Sequence, residues 1–396
     1  MKIENEIDRL SYLDGLRGVA ACLVFFGHLV LAVFPGMVSF APHELHDSAE
    51  VALGVSLLSW LWKGSFAVCI FFVLSGYVLA GFSARTELSV PAQVLRRYLR
   101  LALPMLMTST LAWALMALGC YRNVEAASLV THSDWLSMWY RGFQPSFPGM
   151  VKEALFDAFR NGRADYNSNL WTMRIELIGS IAIFVAFAIF RNRPVRLAAI
   201  LIALACSYDS YYCLFAFGAL FRELETPAGQ LLNRVVASAN IREWLTSGVF
   251  LAGLYLGAYS HTPADVVPTW HFFFPRTLPT TAYHMMGAIL VVGAVLYCRW
   301  LQRWLGGRFG GYLGRLSFVL YLVHLPIICS VTAWSMLLLR SLPYEANAAI
   351  AMLVTTASVF GLSTLIYRHV DVHTTSLSRY AGRKFDACLP NEERKS

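Results

Sequence analysis

Long apolar runs separated by short polar or basic segments dominate the chain. A run of about twenty apolar residues can cross a bilayer as an α-helix. We therefore predict an all-α, polytopic transmembrane bundle of about ten spans. The predicted spans are 13–34, 65–82, 101–119, 170–190, two short spans within 197–221, 244–260, 284–300, 316–338 and 348–367.

The basic residues alternate with these runs in a way that predicts sidedness. Arginines cluster around 85–100, 222–242 and 299–315, whereas the loop 35–50 has acidic residues and no Lys or Arg. Short cytoplasmic loops are enriched in Lys and Arg, so we predict that both termini are cytoplasmic. This pattern requires two spans within 197–221, because one span would place the later basic loops outside.

Composition supports a membrane protein. Of 396 residues, 57% are hydrophobic and 14% are charged, and mean hydropathy is +0.54. The net charge of +8 lies largely in predicted cytoplasmic loops, so nucleic acid is not an expected partner. The eight cysteines form no CxxC pair, and we predict neither a disulfide framework nor a metal site. We divide the chain into a membrane domain, 1–370, and a charged, partly disordered cytoplasmic tail, 371–396.

Two ionisable residues in the first apolar run are the first candidates for function. Arg17 and His28 are eleven residues apart, or about three helical turns, so they share a helix face. An intramembrane histidine costs free energy unless it faces a cavity or a partner. His28 is therefore either a functional residue or a histidine packed and hydrogen-bonded between helices.

Glu176 is expected at a depth similar to that of His28, in the span 170–190. A carboxylate beside an imidazole would fix its tautomer, which makes the two a candidate acid–base pair. The alternative for Glu176 is a structural pair with an arginine. Tyr321 and His324 lie in the inner half of the span 316–338.

Arg97 and Arg100 are three residues apart and thus neighbours on one helix face. Two adjacent guanidinium groups suit a phosphate or pyrophosphate, and Arg17 would add to the same positive field. The alternative is ordinary anchoring at the cytoplasmic face. Ser75, before Gly76 and Tyr77, is either a nucleophile or a small residue that permits close helix packing.

Five segments together resemble the acyltransferase-3 family of integral-membrane acyltransferases. They follow the order of the family motifs from residue 10 to residue 324. The segments are LSYLDGLRGVAACLVFFGH (10–28), FFVLSGYVLA (71–80), RRYLR (96–100), LWTMRIE (170–176) and LGRLSFVLYLVH (313–324).

The resemblance implies transfer of an acyl group, often acetyl from acetyl-CoA, to a hydroxyl of a cell-surface or secreted carbohydrate or lipid-linked glycan. It implies that Arg17 and His28 are the Arg-then-His pair of the family, and that Arg97 and Arg100 face the CoA phosphates. Glu176 and His28 are then the expected catalytic residues. The expected supporting residues are Asp14, Ser75, Tyr77, Trp171, Tyr321 and His324.

Two other functions remain open on the sequence alone. A transporter or flippase of a polysaccharide precursor could use His28 and Glu176 as a proton relay. A structural subunit of a polysaccharide export machine would make His28 dispensable. In each case we expect a multi-pass protein of the inner (plasma) membrane.

Overall fold

The computed structural model describes residues 2–235, 239–260 and 278–390, and the regular secondary structure in these ranges is entirely helical. This confirms the predicted all-α class. Twelve longer helices carry the architecture. They are α1 (Lys2–Val33), α2 (Gly64–Ser83), α3 (Val90–Ala117), α4 (Trp171–Ile189), α5 (Arg193–Cys206), α6 (Tyr212–Val235), α7 (Ala239–Gly257), α8 (Thr280–Val295), α9 (Arg299–Leu305), α10 (Arg308–Ile327), α11 (Tyr344–Ile366) and α12 (Val372–Cys388).

Within the described ranges, six helical segments are long and apolar enough to cross a membrane. A seventh results if α8 and α9, which meet at a bend of 94°, form one broken span. The predicted count of ten is therefore not confirmed, and the sidedness of the loops stays a prediction. The six segments are Ser11–Val33, Gly64–Ser83, Val90–Ala117, Ser168–Ile189, Arg308–Leu338 and Tyr344–Cys388.

The difference in count arises mainly between residues 193 and 257. The predicted interruption of 197–221 is present, because α5 ends at Cys206 and α6 begins at Tyr212. The 14 residues of α5 extend only about 21 Å, short of a hydrocarbon core of about 30 Å. Most of the predicted outer loop 261–283 lies outside the described residues.

Glycines bring α1 and α10 into close contact. A Cβ atom on Gly18 would lie 2.4 Å from the carbonyl carbon of Leu313, and one on Gly314 would lie 2.6 Å from the backbone of Asp14. Small residues at a helix interface let two backbones approach closely. This contact fixes the register of the helices that carry His28 and His324.

A matched pair of glycine substitutions tests this packing. We expect Gly18→Ala to lower the free energy of unfolding by about 1–3 kcal/mol, since the new methyl group meets backbone atoms. Gly248→Ala in α7 has open space around the added Cβ, so it should raise stability by about 0.5–1 kcal/mol through the lower helix cost of alanine. Thermal unfolding in detergent measures both. Equal effects of the two substitutions would show that the α1–α10 contact is not tight.

Much of the predicted cytoplasmic tail is ordered, over residues 372–388. These residues form α12, which packs against α3. Gly382 lies against Arg96, and the Asp386 carboxylate accepts hydrogen bonds from the amide and the hydroxyl of Ser89, at 2.9 and 2.6 Å. The Asp386 contact satisfies a donor just before the start of α3, so α12 is joined to the membrane bundle.

Candidate active site

A cavity of about 440 Å³ lies between α1, α2, α3, α4 and α10, with residues after α11 closing one side. Its walls combine apolar side chains with four arginines and three carboxylates. The arginines are Arg17, Arg97, Arg100 and Arg315, and the acids are Asp14, Glu176 and Asp371. The structure thus brings together Asp14, Arg17, Ser75, Arg97, Arg100, Glu176 and Tyr321 from the predicted set.

The Glu176 carboxylate is held at the cavity wall by neighbours from two other helices. The Ser75 hydroxyl donates to its Oε1 at 2.5 Å, and the Arg97 guanidinium donates to the same oxygen. Arg97 Nε also donates to the Ser180 hydroxyl at 3.0 Å. Ser75 therefore hydrogen-bonds to a carboxylate, and Gly76 beside it packs against the backbone of Phe215.

Arg100 makes a bidentate ion pair with Asp371, whose side chain is only 5% exposed. The two N–O distances are 2.5 and 3.0 Å, and the guanidinium lies over the Phe318 ring. Arg17 lies 3.5 Å from Asp14 in a much more exposed pair. Arg315 forms no ion pair among the described residues and is exposed, so it leaves a cation at the cavity wall.

His28 and His324 form a hydrogen-bonded pair, with 2.9 Å between His28 Nδ1 and His324 Nε2. His324 is fully buried, and its Nδ1 lies 3.1 Å from the Leu320 carbonyl oxygen. That carbonyl can only accept, so His324 Nδ1 carries the proton and its Nε2 accepts from His28 Nδ1–H. The free lone pair of the neutral chain is then on Nε2 of His28, which is half-buried.

The α10 backbone at this pair depends on a proline. Pro326 has no amide hydrogen, so the carbonyl of Leu322 loses its helical partner. The side-chain amide of Asn167 donates to that carbonyl at 2.7 Å. A buried carbonyl without a partner would cost free energy, and Asn167 thereby stabilises the turn that carries His324.

The predicted pairing of His28 with Glu176 is wrong in this structure. His28 bonds to His324, whereas Glu176 bonds to Ser75 and Arg97. Equal predicted depth along two helices does not determine which neighbour each residue faces.

Tyr321 connects the cavity to the histidine pair. Its side chain lines the cavity, and its ring meets the His324 ring edge-on at a centroid distance of 5.9 Å. Its hydroxyl donates to the Asn169 carbonyl at 3.0 Å and lies 2.9 Å from the Thr172 hydroxyl. These contacts hold the ring in one orientation between the cavity and His324.

Two predicted supporting residues lie elsewhere. Tyr77 is buried under the Arg222 guanidinium and does not line the cavity. Trp171 is 40% exposed, and its ring packs near Tyr211 at 5.8 Å. Neither residue meets the cavity or the histidine pair.

Sequence reasoning missed three residues at the site. Asp371 was assigned to the tail, and Arg315 was taken only as a marker of the inner face. Trp135 stacks on His28 at a centroid distance of 5.1 Å. It lies in the short helix Asp134–Met138, and the hydroxyl of the preceding Ser133 donates to the Leu31 carbonyl at 2.6 Å. The Trp/Pro-rich composition of 120–169 was the available signal for Trp135.

One group among the described residues has metal-ligating side chains close together, namely His43, Glu44 and Asp134. His43 Nε2 lies 2.9 Å from the Asp134 carboxylate, and Glu44 accepts from the Asp134 amide at 2.7 Å. These groups already hydrogen-bond to one another, so we assign no metal to them. The absence of a metal site stays a prediction.

Comparison with known proteins identifies the class. The acyltransferase-3 family model, described as an acyltransferase domain, matches residues 10–368. The chain therefore belongs to the acyltransferase-3 family, as its motifs indicated. No solved structure matches it significantly.

The chain is similar to several fungal acyltransferases. Acyltransferase R4 of a Phoma species is 27% identical over 393 residues, covering 81% of this chain and 83% of that protein. Acyltransferase clz18 of Cochliobolus lunatus is 25% identical, covering 83% and 84%. O-acetyltransferase PaAT-1 of Phomopsis amygdali is 25% identical, covering 94% and 84%. Together with the apolar helices, these matches define a membrane acyltransferase.

Proposed function

We propose that the protein transfers an acyl group, most simply acetyl, from acyl-CoA to a hydroxyl of a carbohydrate or lipid-linked glycan. The observation that carries this proposal is the arginine-rich cavity, which Tyr321 connects to a hydrogen-bonded histidine pair. A phosphorylated donor needs the first feature, and a hydroxyl acceptor needs the second.

The charge pattern of the cavity supports a phosphate-bearing donor. Each guanidinium has five N–H donors, so Arg97 and Arg100 keep donors available after pairing with their carboxylates. Arg17 and Arg315 are less completely neutralised at the same cavity. The apolar walls, including Phe71 and Phe72, suit the acyl and pantetheine part of the donor.

The histidine chain supports a base role for His28. Its Nε2 lone pair would accept the proton of an acceptor hydroxyl while the oxygen attacks the acyl carbonyl. The resulting imidazolium would keep donating through Nδ1 to His324, whose own proton is held by Leu320. General base catalysis of this kind contributes roughly 10²–10⁴-fold to rate. Trp135, stacked on His28, offers an aromatic face for the acceptor.

Purified protein tests the proposal directly. With acetyl-CoA and an extracted surface or lipid-linked glycan, we expect release of free CoA thiol and acetylation of the glycan, measured by thiol titration and mass spectrometry. A transporter or flippase would release no thiol, so thiol absence would refute acyl transfer. A series of acyl chain lengths would define the donor specificity.

We further propose that the donor cavity opens to the cytoplasm and that both termini are cytoplasmic, in the plasma membrane. The arginine-rich segments around Arg97 and Arg315 support this orientation. Reporter fusions placed in 84–89 and in 35–50 should report opposite sides, with 84–89 inside. The same side for both would contradict the orientation.

A further inference from the structure

A serine–histidine pair at the start of α2 lies outside the cavity and the His28–His324 pair. The Ser65 hydroxyl is 2.7 Å from His284 Nδ1, and His284 Nε2 is 3.0 Å from the Tyr259 carbonyl oxygen. The carbonyl can only accept, so Nε2 carries the imidazole proton. His284 Nδ1 therefore accepts from the Ser65 hydroxyl, as a general base does from a nucleophile.

The burial of the two residues differs in the way that this chemistry requires. His284 is 1% exposed and fixed by Tyr259, whereas Ser65 is exposed. A buried, oriented base and an accessible hydroxyl allow a substrate carbonyl to reach the serine oxygen. A hydrogen bond that only satisfied a buried hydroxyl would not leave Ser65 open.

The surroundings of Ser65 favour a negatively charged oxygen. α2 begins at Gly64 without a side-chain cap, so the amide groups of its first turn have no partner within the helix. Such groups stabilise the oxyanion of an acyl-transfer intermediate when they point at it.

The position of Ser65 fits a place between the donor and the acceptor. Val68, Phe72 and Ser75 line the cavity along α2, and Ser65 lies one turn beyond Val68 on that side of the helix. At the same end, a Cβ on Gly27, the neighbour of His28, would lie 2.6 Å from the Trp62 carbonyl. The start of α2 thus adjoins the turn of α1 that carries His28.

We propose that Ser65 is a nucleophile that receives the acyl group before the acceptor does, with His284 as its base. The proposal rests on the proposed acyltransferase function. The Ser65 oxygen attacks the thioester carbonyl while His284 Nδ1 takes the hydroxyl proton. The new C–O ester bond forms as the C–S bond breaks, and the leaving thiolate takes the proton from His284 to give free CoA thiol.

In the second step, the acceptor hydroxyl attacks the Ser65 ester. His28 takes its proton, the ester C–O bond to Ser65 breaks, and that proton passes from the His28 imidazolium to the leaving serine oxygen, which restores both residues. No oxidant, reductant or further co-reactant is consumed. The two histidines then act in different steps, His284 in acylation of Ser65 and His28 in transfer to the acceptor.

This division of labour makes the intermediate trappable. The full-length protein, incubated with acetyl-CoA without acceptor, should carry one acetyl group on Ser65, detected by mass spectrometry of acid-quenched digests. His28→Gln should accumulate the acetylated serine even with acceptor present. Ser65→Ala should carry none, and His284→Gln, which keeps Ser65, should slow acetylation of Ser65 roughly 10²–10⁴-fold.

Ser39→Ala is the matched control, because Ser39 is an exposed serine whose hydroxyl accepts a hydrogen bond from the Ala41 amide and, among the described residues, has no histidine bonded to it. It should acetylate Ser65 normally. Full transfer to acceptor by Ser65→Ala, together with no acetyl on Ser65 in wild-type or His28→Gln protein, would refute the acyl-serine intermediate. The proposed acyltransferase function would still stand. Absence of thiol release from wild-type protein would instead refute the acyltransferase function itself.

Discussion

Replacing His28 with glutamine should reduce acyl transfer roughly 10²–10⁴-fold while donor binding and membrane abundance stay normal. Glutamine keeps much of the volume and can still donate to His324, but it cannot take a proton near neutral pH. The expected loss follows from the tautomer chain that leaves Nε2 of His28 as the free lone pair. Turnover of well-folded protein at saturating acetyl-CoA measures it.

His324→Gln separates a base from its neighbour. A glutamine oxygen at 324 can accept from His28 Nδ1–H, so this variant should retain more activity than His28→Gln. His373→Gln, at an exposed site on α12, is the control and should be silent. Near-normal turnover of His28→Gln would make His28 a packing residue and His324 the next candidate base.

Arg100→Gln should lower the free energy of unfolding by about 3–5 kcal/mol, because Asp371 is then left as a buried charge without its partner. This expectation differs from that for an arginine at an aqueous edge, whose loss would leave folding unchanged. The double variant Arg100→Gln/Asp371→Asn should recover most of the lost stability, since both charges are gone. Thermal unfolding of the single and double variants measures the coupling.

Donor affinity distinguishes a phosphate ligand from a purely structural pair. The double variant, once shown to be stable, should still bind acetyl-CoA more weakly than the wild type, by about 1.5–3 kcal/mol for each charge-assisted hydrogen bond lost. Arg308→Gln, at an exposed position on α10 away from the cavity wall, is the control and should bind normally. Wild-type affinity in the stable double variant would assign Arg100 to the fold alone.

The sequence was most informative where one helix carries the whole signal. The spacing of eleven positions from Arg17 to His28 placed one residue in the cavity wall and the other in the histidine pair, along a single continuous helix. The spacing of Arg97 and Arg100 likewise predicted that both face one site. These predictions depend only on helical geometry, which the apolar pattern determines.

Partner choice was not predictable, because it depends on which helices are neighbours. Arg97 and Arg100 were expected side by side on one phosphate, yet each pairs with a carboxylate from a different segment, Glu176 and Asp371. Hydropathy along one chain does not encode the order of helices around a bundle. Hydropathy also predicted a charged tail for the segment that forms α12, which packs against α3.

A more local signal would have found α12. Thr374, Ser378 and Gly382 recur every four residues and are buried. A stripe of small residues at this spacing indicates a helix face in close contact with another helix. Mean hydropathy misses it, because the exposed face of the same helix is strongly polar.

The glycine contacts between α1 and α10 have a mechanical consequence. Helix α1 carries Arg17 and His28, and helix α10 carries Arg315, Tyr321 and His324. Because their backbones touch, we expect them to move as one unit. A transport cycle that opened this pair of helices first to one side of the membrane and then to the other would have to rearrange the surrounding helices. The reacting groups would keep their mutual distances throughout. This is expected of a fixed catalytic site, and not of a proton relay whose groups move relative to one another.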